Sequence, residues 1–214
     1  MKLKKIASLA LAGIMAVSML AGCKDGSSSS ESTTPPETTV TAGIADPMNE
    51  VRSIYVKNGV EIVYKESDSL TGQLQTAVEA VYKKSGDIET AAGTNSYAGA
   101  TDAAKANDVI KELKKVIPGT FVAANTMSVA AEGTNKLIKV YTVGGNYGAS
   151  DAGNLVGNVL NSVATSTNMP LTGTNLKATY SADVAAVKVT SRDDANVSAW
   201  VVAVVYTQSI TKTT

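Results

Sequence analysis

Beyond residue 50 the apolar positions switch between a two-residue and a 3.6-residue period, which predicts an α+β domain. Residues 51–57 and 60–65 are β-rich runs joined by Asn58-Gly59, a dipeptide that readily takes the positive φ of a two-residue hairpin turn. Ser67 or Asp68 then opens a helix with Leu70, Leu74, Ala77, Val78 and Val81 on one face, ending near Gly86. From 86 to 100 the residues are small and polar, as in a loop. Thr101-Asp102 starts a second helix through Ala106, Val109, Ile110, Leu113 and Val116, which Pro118-Gly119 stops. Residues 120–131 and 136–143 read as a hairpin around Glu132-Gly133-Thr134-Asn135, although Met127, Ala130, Ala131, Ile138 and Tyr141 also fit one helical face. A third helix from Ser150-Asp151 buries Leu155, Val156, Val159, Leu160 and Val163, and strands follow over 176–190 and 196–208. The run Trp200-Val-Val-Ala-Val-Val-Tyr206 is the most apolar, so its strand belongs at the centre of a sheet.

The chain also resembles itself. Gly99-Ala100-Thr101-Asp102-Ala103 matches Gly148-Ala149-Ser150-Asp151-Ala152, each follows a tyrosine (Tyr97, Tyr147), and each starts a helix followed by two strand-like runs ending Val-Tyr-Thr. A duplication would give two helix-plus-hairpin units, 99–143 and 148–208. With the first hairpin and helix, they would make an antiparallel sheet of hairpins with about three helices packed on one face. Gly-Thr-Asn at 93, 133 and 173 cuts across that register and reads as turn chemistry.

The N-terminal residues follow a different logic. Lys2, Lys4 and Lys5 precede an apolar run, 6–20, that would cover roughly 22 Å as a helix, too short for a hydrocarbon core of about 30 Å. The run closes on Leu20-Ala21-Gly22-Cys23, which holds the only cysteine. Charge, apolar run and small residues are the three parts of an export signal. Residues 1–23 resemble the signals of bacterial lipoproteins, which end in a Leu, small, small, Cys box where the thiol is lipidated before cleavage. The resemblance implies a signal over 1–22, acylated Cys23 as the first mature residue, and a lipid-anchored protein on the cell membrane facing outside the cytoplasm. Residues 23–47 would then form a Ser/Thr/Pro-rich tether and 48–214 the globular domain, large enough to bury a core without disulfides.

Charge narrows the partners. All nineteen acidic residues lie beyond the signal and three of nineteen basic ones lie within it, so the rest carries 16 − 19, or −3. Lys111, Lys114 and Lys115 read as the solvated end of a helix, and no basic patch calls for nucleic acid. The chain has no histidine, which removes Ser-His-Asp and Cys-His hydrolysis and His-ligated zinc. No cofactor is expected. Ten aromatic residues leave little for a sugar-stacking cleft.

Each remaining chemical feature has a structural reading beside the functional one. Gly144-Gly145-Asn146-Tyr147-Gly148 could cradle a phosphate at a helix start, but Asp151 stands where that charge would sit. Asp102 and Asp151 could be paired carboxylates, or first-turn acids that favour the helix dipole. Asp193, Asp194 and Asn196 offer oxygens without the spacing of a calcium loop, and read as a turn. Two functions follow: an anchored domain that binds an envelope ligand or protein or has a structural role there, or a carboxylate-dependent enzyme acting on cell-wall glycan through Asp102 and Asp151. In the first, Tyr97, Tyr147, Asp102 and Asp151 mark the binding surface, with an exposed sheet face or the 86–100 and 144–149 loops.

Overall fold

The computed structural model describes residues 35–52, 62–92, 103–122, 131–166 and 175–212. Among them six strands form one mixed, mostly antiparallel sheet, and five helices cover it. The strands are β1 (Glu37–Thr41), β2 (Tyr64–Glu66), β3 (Thr120–Phe121), β4 (Gly133–Gly144), β5 (Leu176–Thr190) and β6 (Ser198–Lys212). Their order is β1-β5-β6-β4-β3, with β2 also on β5, parallel to it. The helices are α1 (Ala45–Arg52), α2 (Asp68–Val81), α3 (Gly86–Ala92), α4 (Ala103–Val116) and α5 (Ala149–Ser166).

The apolar run of the last strand sets the plan. β6 lies between β4 and β5, and its side chains alternate between two cores. Val201, Ala203 and Val205 join Leu70, Leu74 and Val78 of α2, Ile88 of α3, and Val109 and Leu113 of α4. Trp200, Val202, Val204 and Tyr206 join Met48 of α1 and Ala152, Val156 and Leu160 of α5. The helices therefore occupy both faces, and the expectation of about three helices on one face is corrected. A strand apolar at both parities has two faces to hide, and each buried Val is worth about 1.5–3 kcal/mol.

The internal repeat is not preserved in the strand pairing. β3 runs parallel to β4, with Thr120 opposite Asn135, whereas β5 and β6 pair antiparallel. Gly133-Thr134-Asn135 opens β4 instead of turning a hairpin. The helices of the two units also pack on opposite faces.

The folded region starts earlier than 48. Residues 37–41, expected in the tether, pair with β5, as suits a Thr-Thr-Val-Thr run rich in β-branched side chains. Val51 and Arg52 close a helix where a strand was expected. Glu66 explains that helix: its Oε1 accepts the N–H groups of Gly43, Ile44 (2.7 Å) and Ala45 (3.4 Å), capping α1. Asn58-Gly59 lies outside the described residues, and Tyr64–Glu66, the end of the expected hairpin, is β2.

Side-chain amides and small residues seat α1. Asn49 Nδ2 donates to the Tyr64 carbonyl at 2.8 Å and its Oδ1 accepts the Tyr64 N–H at 2.9 Å, as a neighbouring strand would. α1 also packs on Gly153 and Gly157 of α5. A Cβ at Gly157 would fall 2.5 Å from Val51 Cγ2 and 3.0 Å from Met48 Cα, and one at Gly153 would fall 2.9 Å from the Ile44 carbonyl oxygen. Across the same core, Tyr64 and Tyr206 meet edge to face, ring centroids 6.3 Å apart, with hydroxyls 3.3 Å apart. The strand register places both rings beside the small side chain of Ala182.

Two predictions follow from this packing. Gly157→Ala forces α1 off its seat and costs about 1–3 kcal/mol, whereas Gly72→Ala in α2, with open space at its Cβ, gains about 0.5–1 kcal/mol; urea midpoints give both signs. Tyr206 is held well above the ordinary tyrosine range by burial, with Tyr64 and Tyr141 adding to the effect. In the unfolded chain it loses its proton near pH 10 while the folded protein keeps it, so its contribution is complete below pH about 10 and is lost as pH rises. The melting temperature should fall on alkaline titration, and fall less for Tyr206→Phe relative to its own neutral value.

Candidate functional site

One end of the sheet gathers most of the polar turns. There β4 leaves through Gly145–Gly148 into α5, the 191–197 turn joins β5 to β6, and the α2–α3 turn reaches across. Gly145 N donates to the Ser198 carbonyl at 2.8 Å, so closely that a Cβ on Gly145 would lie 2.4 Å from the Ser198 carbonyl carbon. Trp200 Nε1 donates to the Tyr147 carbonyl at 3.0 Å, and Lys188 Nζ stands 5.4 Å from the Trp200 ring centroid. Trp200 is only 5% exposed, so it is a core side chain that fixes the turn.

Of the residues singled out from the sequence, Tyr147 and Asp151 come together at this turn. Tyr147 is half-buried against the α1/α5 core, and Asp151 is exposed in the first turn of α5. Asp151 Oδ2 lies 3.6 Å from the position of a Gly148 Cβ, so the carboxylate sits over the turn that a phosphate would need. Cys23, Tyr97 and Asp102 lie outside the described residues.

The facing turn is tied by hydroxyls. Buried Ser191 donates to Ser85 Oγ at 2.8 Å, Ser85 donates to Asp193 Oδ2, and Ser191 Oγ accepts the N–H groups of Asp193 and Asp194 at 3.2 and 3.3 Å. Asp194 Oδ1 accepts both the backbone and side-chain N–H of Asn196. Among the described residues, no group of three or more His, Cys, Asp or Glu could hold a metal ion. Beyond Ser85, Asp87 takes the N–H groups of Lys83 and Lys84 and pairs with Lys105 Nζ at 2.8 Å. Burial pushes the Asp87 carboxyl up, but the Lys105 and backbone hydrogen bonds outweigh it and hold it below the usual carboxylate range. This turn makes 86–92 the helix α3 where a loop was expected.

The sequence reading missed a second polar group, on the α1/α5 face of the sheet, which runs from near the turns toward the sheet's other end. Tyr64, Tyr141, Tyr206 and Gln208 are buried there, Gln208 Nε2 donates to the Tyr180 hydroxyl at 3.0 Å, and half-buried Lys139 shares the face. Burial lowers the Lys139 ammonium's affinity for its proton and raises that of the Tyr141 hydroxyl, to which Tyr64 adds. Its signal was present in part: Lys139 and Tyr141 of β4 share one parity, as do Tyr206 and Gln208 of β6.

Gly145→Ala tests how firmly the Tyr147 turn is built. We expect a loss of about 1–3 kcal/mol and a red shift in tryptophan emission, because Trp200 is the sole tryptophan and its indole N–H is tied to that turn.

The chain matches no family model, no curated protein and no solved structure, so its geometry carries the functional reading.

Proposed function

We propose that this chain is a lipid-anchored extracytoplasmic domain that binds an envelope ligand or protein at the turn cluster around Tyr147 and Asp151. Acylated Cys23 is the anchor. Fourteen peptide steps separate it from Glu37, where β1 begins, a contour of at most about 50 Å. Among the described residues no helix is long and apolar enough to cross a membrane.

The observation that carries binding over catalysis is the employment of the carboxylates. Glu66 caps α1, Asp87 holds the α2–α3 turn and Lys105, Asp193 and Asp194 tie the 191–197 turn, and Asp108, Glu112 and Glu132 pair with surface lysines. Glycan hydrolysis needs two carboxylates about 5–9.5 Å apart in one cleft. Asp102 lies outside the described residues, and Asp151 stands exposed in the first turn of α5. Rigid elements presenting exposed turns suit recognition.

A thermal-shift screen of residues 35–214 against wall fragments, sugars, peptides and divalent ions tests the reading. A ligand at a hundred times its dissociation constant adds about 2.7 kcal/mol of stability. The shift should vanish in Tyr147→Ala/Asp151→Asn. Turnover of a glycan that is lost in Asp151→Asn would replace binding with catalysis.

A further inference from the structure

β1 is tied to the domain differently from its neighbours. None of its five residues is buried, and Val40 is 45% exposed. Its ladder on β5 runs from Glu37 opposite Thr190 to Thr41 opposite Ala186. The side-chain ties lie near the surface: Thr38 Oγ1 donates to Glu79 Oε1 at 2.8 Å, and Gln75 Nε2 donates to Thr38 Oγ1 at 3.2 Å. Pro36, just upstream, is buried. The chain on the other side of the strand is fixed. Ile44 and Met48 are fully buried, and Glu66 grips the N–H groups of Ile44 and Ala45; the Gly43 N–H, which it also takes, lies in the joint and is given up when the strap opens.

Between the two lies an exposed joint, Ala42-Gly43. Gly43 has φ +90°, with nothing within 4 Å of where a Cβ would stand. We propose that β1 is a strap that opens independently of the domain, swinging about Ala42-Gly43 while α1 and both cores stay folded. Ala186, Val187 and Val189 of β5 pack into the two helix-covered cores. Opening therefore bares the outer backbone edge of β5 over 186–190, a row of N–H and C=O groups, and leaves the cores closed.

Hydrogen exchange on the full chain, read residue by residue, tests this. The amides of β1 that face β5, and those of β5 over 186–190 that face β1, should exchange at one common rate, at least tenfold faster than Val201–Val205 of β6. Amides of Asn49–Val51 should stay slow. Gly43→Ala strains the closed joint and relaxes on opening, so it should raise the strap's rate roughly three- to fivefold and leave α1 and β6 unchanged. Exchange of β1 in step with β6 would overturn the proposal, and so would acceleration of α1 together with β1.

Discussion

The rest of the molecule depends on a strand with no polar side. From Ala199 to Tyr206 every residue of β6 is buried, so water must be kept from both faces of the sheet centre. An antiparallel sheet commonly leaves one face wet. Here that option is closed, and two helical layers of different make-up result. One uses the Leu and Val stripes of α2 and α4. The other brings α1 close to α5 through Gly153 and Gly157, because a short helix reaches enough apolar surface only by near contact.

Once both faces are covered, exposed chemistry is left to the turns and edges. The Tyr147 turn, the 191–197 turn and the Ser85 turn converge at one end and are fastened to one another by main-chain and hydroxyl bonds. Their charges are mostly engaged in that fastening. Among the described residues, what this end presents outward is shape and a pattern of hydrogen-bonding groups. On the α1/α5 face, burial keeps the Tyr141 and Tyr206 hydroxyls protonated, and the Tyr206 hydroxyl shares a hydrogen bond with that of Tyr64, so there too polar groups knit the core.

Where a pattern was local and strongly periodic, the elements were legible in the sequence. The 176–190 strand and the helices from Ser67, Thr101 and Ser150 are present, although the Ser67 helix ends at Val81 and Gly86 opens α3 instead of closing it, and the Ser67 cap is made by its Oγ accepting from Leu70 N. What could not be read were elements created by distant partners. α1 exists because Glu66 caps it and glycines of α5 seat it, β1 because β5 offers an edge, and α3 because Asp87 gathers two N–H groups and a lysine. The second helical layer was implied by β6, whose run is apolar at both parities. Of the candidate site, Tyr147 and Asp151 were found through their helix start, while the buried phenols escaped notice because each sits alone in its own strand.

Asn49 imposes a chemical demand of a different kind. Its side chain stands in for a peptide group, donating to one Tyr64 atom and accepting from another, and only an uncharged amide can do both. Hydrolysis to aspartate would set a carboxylate oxygen against the Tyr64 carbonyl and cost α1 one of its two bonds from Asn49 to β2. The same bonds hold the amide inside a helix, away from the backbone cyclisation by which asparagine ages. A residue whose chemical decay would weaken the seat of α1 on β2 is thus held in the geometry that slows that decay.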